Sequence, residues 1–417
     1  GGMEMSGTAA LKKISGGVTA AKGFKAASTA AGIKYKDRKD MAMIYSETPC
    51  TVAGTFTTNI VKAAPVKWDQ EIVSSSSKAQ AVVINAGIAN ACTGQEGYGY
   101  CKATAQAAAE VLGIEEGSVL VASTGVIGMQ LPIDRIVAGV KTMAPVLEGS
   151  LESGAQSAQA IMTTDTKRKE AAVQVELGGK MVTIGGMCKG SGMIHPNMCT
   201  MLGFITTDAA VSKEMLQQML SEAVEDTYNM VSVDGDTSTN DTVLLLANGM
   251  AGNPEITEKN QDYEVLKEAL HVVNETLAKK IAGDGEGCTA LFEVQVVGAA
   301  SKEQAKVLAK SVITSNLTKA AIFGHDANWG RILCAMGYSG ADFDPEKVDL
   351  FFESASGRLQ IIENGVALNY SEEEATRILS QPEVTAIADI KMGAAKATAW
   401  GCDLTFDYVK INADYRS

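Results

Sequence analysis

Residues 189 to 208 read Lys189-Gly-Ser-Gly-Met-Ile-His-Pro-Asn-Met-Cys-Thr200-Met-Leu-Gly-Phe-Ile-Thr-Thr-Asp208. A glycine-rich polar loop passes through a proline and turns abruptly apolar, with Thr200 at the junction. Pro196 fixes one backbone angle just upstream, Gly190 and Gly192 permit unusual ones, and Thr200 to Thr207 reads as a strand. A threonine hydroxyl is a weak nucleophile without a base, but a threonine at a chain terminus carries one in its own α-amine. The stretch therefore offers a specific chemistry. The Thr200 hydroxyl attacks the carbonyl of Cys199, the bond shifts from amide to ester, and water releases a new N-terminal threonine. From composition alone, a threonine that merely caps a loop-to-strand junction is the commoner outcome. Cys199 is a rival nucleophile, with His195 four residues away, but a loop does not guarantee their contact.

Outward from this stretch the periodicity describes a layered molecule. Ala171 to Leu177 and Lys180 to Gly186 alternate around Gly178-Gly179, the signature of a β-hairpin. Further upstream, Ala79 to Ala86 and Ser118 to Ser123 read as strands, the latter broken at Gly125. Gly99 to Leu112 and Asp134 to Leu147 read as helices. Downstream, helices are expected at Ser212–Tyr228, Asp262–Ile281 and Lys302–Ile313. Strands are expected at Thr242–Ala247, Leu291–Val297, Val348–Glu353, Leu359–Glu363, Val384–Ile390 and Asp403–Ile411. Without strict βαβ alternation, these elements predict a layered α/β fold with largely antiparallel sheets.

Composition narrows the function classes. The 417 residues carry a net charge of −13 and are 46% hydrophobic, which argues against nucleic acid and anionic membranes as partners. A local cluster, Lys34, Lys36, Arg38 and Lys39, could still attract a carboxylate. The eight cysteines include no Cys-x-x-Cys and there are only three histidines, so no zinc site and no other metal is expected. They read as small hydrophobes in a reducing compartment. With no apolar run of about 18 residues and no leader pattern, a cytoplasmic protein is expected.

Other segments carry weaker signals. Ser123-Thr124-Gly125 ends a strand and presents hydroxyls and backbone N–H groups suited to an oxyanion. Gly283-Asp-Gly-Glu286-Gly-Cys-Thr289 resembles a phosphate loop, but the helix precedes it and the strand follows, opposite to the dinucleotide fingerprint. Its glycines would let Glu286 approach an ammonium group. Asp234 to Asp241 lacks the glycine and closing glutamate of a calcium loop. His325 to Gly330 reads as a capped turn opening a helix at Arg331 to Met336.

Taken together, Lys189 to Leu202 resembles the self-cleavage motif of the ornithine acetyltransferase family, the bifunctional glutamate N-acetyltransferases of arginine biosynthesis. Gly16 to Phe24, Asn85 to Gly94, Ser123 to Gly128, Thr163 to Thr166, the Asp234 to Asp241 loop, Asn328 to Arg331 and Asn412 to Ser417 extend the resemblance over essentially the whole chain. It implies an α/β/β/α sandwich of the N-terminal-threonine-nucleophile type with a smaller C-terminal α/β domain. It implies cleavage between Cys199 and Thr200 into an α chain (1–199) and a β chain (200–417), and association of two αβ pairs. Thr200 would be the nucleophile, and Thr124 and Gly125 the oxyanion hole. Thr163, Lys189, Thr200, Glu286, Asn412 and Ser417 match the substrate positions. The implied reaction moves the acetyl group of N2-acetyl-L-ornithine to L-glutamate without a resident cofactor, and acetyl-CoA would be a second donor in a bifunctional enzyme. An amidohydrolase or aminopeptidase that uses the same threonine and passes the acyl group to water is the alternative. Three departures stand out: Cys199 where the family usually has alanine, Ser417 where threonine is common, and Ile88 in a stretch that is usually more polar.

Overall fold

The hairpin expected around Gly178-Gly179 is present in the computed structural model of the chain, with both glycines at positive φ (57° and 79°) as its tight turn requires. The structure describes residues 2–5, 9–57, 59–75, 78–190, 201–231, 242–284 and 287–403. They divide into two units, one holding the described residues within 2–190, 201–224 and 242–277, the other those within 225–231 and 278–403.

In chain order the elements of the first unit begin with β1 (Gly2–Met5), β2 (Ala9–Ile14), β3 (Phe24–Thr29), β4 (Met41–Phe56), α1 (Ala64–Ser74), β5 (Ala79–Ile88) and α2 (Gly94–Leu112). There follow β6 (Val119–Val126), α3 (Ile133–Met143), α4 (Leu151–Ala160), β7 (Lys169–Leu177), β8 (Lys180–Lys189) and β9 (Leu202–Thr207). Then come α5 (Lys213–Asp226), β10 (Thr242–Ala247) and α6 (Gln261–Gly283). The strand order is β1-β2-β7-β8-β9-β10-β4-β5-β6, with β3 on β4. Only β9–β10 and β5–β6 are parallel among these pairs.

The long β4 makes two layers out of this one path. Its residues 41 to 46 pair with β3 and its residues 41 to 45 with β5, whereas Thr51 to Phe56 pair with β10. The register breaks between Tyr45 and Cys50, around Pro49, which has no N–H for a ladder. One apolar layer lies between the two leaves: Phe24, Ala26, Ile44, Val52, Val82, Ile84, Leu120 and Ala122 pack with Met187, Leu202, Phe204, Leu244 and Leu246. The other face of β4, β5 and β6 offers Met41, Met43, Val83 and Val121 to Ala105, Ala108, Ile136 and Val140 of α2 and α3. On the far leaf, Gln217 of α5 exchanges two hydrogen bonds with Gly54 of β4, and Cys188 Sγ donates to the Leu277 carbonyl of α6. The result is an α/β/β/α sandwich.

Edge strand β6 is covered by α1. The Trp68 indole N–H donates to the Val119 carbonyl at 2.9 Å, and the Asp69 carboxyl accepts from the Val121 N–H at 2.9 Å. These bonds occupy the open ladder groups that an edge otherwise exposes.

The second unit contains β11 (Leu291–Ala299), α7 (Lys302–Ile313), α8 (Asn316–Phe323), α9 (Trp329–Gly337), β12 (Asp349–Ser354) and β13 (Gly357–Glu363). It continues with β14 (Val366–Ala367), α10 (Glu372–Leu379), β15 (Glu383–Asp389) and β16 (Ala395–Cys402). Its sheet order is β14-β13-β12-β15-β11-β16, parallel only between β11 and β15. Phe292, Val294 and Val296 alternate inward and pack with Leu308 and Val312 of α7, Ile378 of α10 and Trp400 of β16.

Several boundaries differ from those expected. β6 does not break at Gly125: it runs to Val126, with Gly125 opposite Gly87. α2 begins at Gly94 rather than Gly99, because a glycine-rich first turn reads as loop in sequence yet is helical here. α3 ends at Met143 and a 3-10 turn carries on through Pro145, whose missing N–H cannot extend an α-helix. The strand expected over Asp403 to Ile411 lies, from residue 404 onward, outside the described residues, and the described strand there is β16. The capped turn before residue 331 is present: the Asn328 side chain accepts from the Arg331 N–H at 3.1 Å and opens α9. Among the described residues no helix is long and apolar enough to cross a membrane.

Candidate active site

Three of the expected site residues arrive at one end of the layer between the leaves. Leu120 and Ala122 of β6 face that layer, and Thr124 continues their alternation. Met187 of β8 faces it from the other leaf, and Lys189 continues that alternation in turn. Thr163 enters from the loop after α4. The Lys189 ammonium donates to Thr163 Oγ1 at 2.7 Å and to Thr124 Oγ1 at 3.1 Å. Both Lys189 and Thr124 are fully buried. An ammonium has donors and no acceptor, so each threonine oxygen accepts here and keeps its own proton to give.

Gly125 sits beside Thr124 at φ +131°, a region that favours glycine. A Cβ built there would lie 2.2 Å from the Gly87 carbonyl carbon and 2.7 Å from the Ile88 nitrogen. Only a glycine lets β5 and β6 approach so closely at this end. The Ser123 hydroxyl donates to Asn85 Oδ1 at 2.6 Å, and the Asn85 amide donates to the Ile88 carbonyl at 2.9 Å, tying the strand ends together. Beyond them Asn90 and Cys92 adopt positive φ, and the Asn90 side chain joins Thr93 to Gly97. The Asn85 to Gly94 segment, the end of β5 and the loop that leads into α2, is thus built next to Gly125. Ile88 is buried in the α2–α3 layer, so its departure from a polar pattern fills the core.

Beneath Lys189 lies a second buried lysine, with an aspartate beside it. The Lys169 ammonium donates to Asp165 Oδ2 at 2.6 Å, and both side chains are almost wholly excluded from solvent. The same Asp165 oxygen accepts from the Gly190 N–H at 2.9 Å, and Oδ1 accepts from the Thr163 N–H at 3.3 Å. Burial pushes the Asp165 pKa up. The charges of Lys189 and Lys169, the Gly190 N–H and the Lys169 hydrogen bond together outweigh it, and the pKa falls below its ordinary value. One carboxylate thus holds the Thr163 loop, the first residue after Lys189, and a lysine. Arg38, from the basic cluster noted in the sequence, stacks on Tyr35 at 4.2 Å and donates to the Met162 carbonyl just before Thr163. Lys39 instead donates to Gln156.

The ends of the Lys189–Leu202 segment lie side by side, since these two residues are register partners in the antiparallel β8–β9 pair. His195, Cys199 and Thr200 between them, the Asp234–Asp241 loop, Glu286, Asn412 and Ser417 lie outside the described residues. The sequence reading gave Asp165 and Lys169 no role. The signal was faint: Asp165 lies inside the Thr163–Thr166 segment, but no pattern separates a buried lysine at 169 from the solvated Lys167 and Arg168 around it. Of the cysteines expected to be small hydrophobes, Cys50, Cys101, Cys188 and Cys402 are buried whereas Cys92 and Cys334 are exposed, and burial lifts the Cys50 thiol to about 12.

The chain is similar to known proteins along most of its length. The ArgJ family matches residues 25–417. The arginine biosynthesis bifunctional protein ArgJ 1 of Clostridium acetobutylicum is 53% identical over 394 residues, 94% of this chain and 96% of that protein. The ArgJ proteins of Thermotoga neapolitana (51% identical, 95% of this chain and 99% of that protein) and Symbiobacterium thermophilum (53% identical, 98% and 100%) are similarly close. With most of its length matched and the Thr124–Thr163–Lys189 cluster assembled at one end of the sandwich, the chain belongs to the ArgJ family, the ornithine acetyltransferases.

Proposed function

We propose that this acetyltransferase of arginine biosynthesis moves the acetyl group of N2-acetyl-L-ornithine to L-glutamate through an acetyl ester on Thr200. The observation that carries the reading is the convergence of Thr124, Thr163 and Lys189, distant in sequence, on one buried ammonium. The chain first cuts itself between Cys199 and Thr200, into residues 1–199 and 200–417. The new α-amine of Thr200 takes the proton from its own hydroxyl, and Oγ1 attacks the acetyl carbonyl. Negative charge grows on the carbonyl oxygen, and the Thr124 hydroxyl and Gly125 N–H receive it. Because Lys189 donates to Thr124 Oγ1, the threonine proton is polarised outward, which strengthens its donation. One such donor is worth about 3–4 kcal/mol of barrier. The oxyanion collapses, the C–N bond breaks and ornithine leaves with a proton returned by the α-amine. Glutamate's amine then attacks the ester, and the same groups act in reverse order. Lys189 and Thr163 meet the substrate's anionic part, Glu286 its side-chain ammonium, and Asn412 and Ser417 complete the pocket. Two αβ pairs form the working assembly, and acetyl-CoA serves as a second donor.

Thr200→Ala tests the reading. It should leave a single full-length mass and release no ornithine from N-acetylornithine; a cleaved, active variant would sink the proposal. With wild-type enzyme, ornithine release should depend on added glutamate. Release at the same rate without glutamate would assign the enzyme to hydrolysis. Formation of N-acetylglutamate from acetyl-CoA and glutamate tests the second donor.

A further inference from the structure

No cysteine pair stands at metal-ligand spacing in the sequence, yet the second unit makes one. β11 and β16 run antiparallel with Leu291 opposite Cys402, which brings Cys288, three residues ahead of Leu291, up to Cys402. The ligand atoms Cys288 Sγ, Cys402 Sγ and a carboxylate oxygen of Asp403 lie within 4.8 Å of one another. Asp403 is held in place. Its Oδ1 accepts from the Thr289 N–H at 2.9 Å and the Ala290 N–H at 3.1 Å, and its Oδ2 from the Thr289 hydroxyl. Three bonds still leave room on a carboxylate with about four lone-pair sites. Cys402 and Asp403 are buried while Cys288 is half-buried, so the cluster is reachable from the Cys288 side.

The chemistry of these donors is selective. Two sulfurs and one carboxylate oxygen suit a borderline or soft divalent cation, not magnesium or calcium. Groups that each gain negative charge on ionising are costly neighbours unless they share a cation. Among the described residues no other group of three histidine, cysteine or acidic side chains is gathered in this way.

We propose that Cys288, Cys402 and Asp403 form a structural site for one thiophilic divalent cation of the Zn2+ class, with water as the fourth ligand. On binding, each thiol releases its proton to solvent as a sulfur lone pair bonds the ion, so two protons leave per cation. The ion ties the residue two places after Glu286 to the end of β16, and so anchors one end of the segment that carries Glu286.

Cd2+ is the probe, because its bonds to thiolates give an ultraviolet charge-transfer band. Reduced, full-length enzyme is titrated alongside Cys288→Ser and Cys402→Ser, and acetyl transfer by the metal-free proteins reports that the variants fold. Exposed Cys92 and Cys334 can also take Cd2+, so the result is read as a difference. Wild type should bind one equivalent more than either variant and show the additional band. Its thermal midpoint should rise with Cd2+, while that of Cys288→Ser stays put. Equal stoichiometry and equal bands in wild type and both variants overturn the proposal. Peptide mapping that finds Cys288 and Cys402 joined as a disulfide in the enzyme as isolated also overturns it.

Discussion

At the scale of single residues, the site rests on charges buried where a sequence cannot show them. Asp165 has a lowered pKa, so its stabilising contribution is complete above the unfolded value near about 3.9 and is lost as pH falls below it. Asp165→Asn removes the carboxylate charge that faces buried Lys169 and Lys189 and should cost about 3–5 kcal/mol at neutral pH. Urea midpoints should show that gap narrowing as pH drops below about 4; a gap unchanged by acid would mean the loss is one of packing. Asp69 presents the opposite sign. Complete burial raises its pKa well above the ordinary value despite the Val121 hydrogen bond. Its contribution is therefore greatest below the unfolded pKa and is lost as pH rises towards the folded one. Asp69→Asn, which keeps the acceptor for Val121, should gain stability relative to wild type by up to about 1.4 kcal/mol per pH unit across that window. Denaturation at about pH 5 and about pH 8 measures it, and a pH-independent difference would contradict the assignment.

At the scale of elements, local rules were readable and long-range pairing was not. The Gly178-Gly179 hairpin, the helix over Lys302 to Ile313 and the strand over Thr242 to Ala247 follow from turn chemistry and periodicity that a few residues contain. β16, by contrast, reads Ala-Lys-Ala-Thr-Ala-Trp-Gly-Cys, a composition with little strand preference. It is a strand because β11 lies alongside it and Trp400 packs into the second core, its indole N–H on Glu293 at 2.7 Å. β4 was missed because Pro49 interrupts it, and the interruption is where it passes from one leaf to the other. The candidate site divides in the same way. Thr124, Thr163 and Lys189 were legible through motifs, but the Asp165–Lys169 pair depends on burial that only the folded chain creates. Two glycines separate close strand packing from helix propensity. Gly125→Ala puts a methyl into the Gly87 backbone and should abolish soluble, active enzyme. Gly99→Ala, in α2 with nothing within 4 Å of the new Cβ, should raise stability by about 0.5–1 kcal/mol. Parallel thermal melts and activity assays decide both, and a well-folded, active Gly125→Ala would show that the strand ends can part.

At the scale of the whole molecule, the α/β/β/α sandwich gives the proposed cut its meaning. β8 ends at Lys189 and β9 begins at Leu202, neighbours in one leaf. β10, also after the cut, pairs with β4, which precedes it. The apolar layer between the leaves likewise takes Ile84 and Leu120 from before the cut and Phe204 and Leu246 from after it. Breaking the Cys199–Thr200 bond removes one covalent link and none of these pairings. The two products should therefore comigrate on a sizing column in native buffer and separate only once denatured. Produced from separate genes, residues 1–199 would expose the open edge of β8 and residues 200–417 the open edge of β9, and each should aggregate alone. Two polypeptides that would share one leaf and the apolar layer of a single sandwich would depend on each other for both: the uncut precursor would then be an assembly device that delivers each half in equal number, already in register with its counterpart.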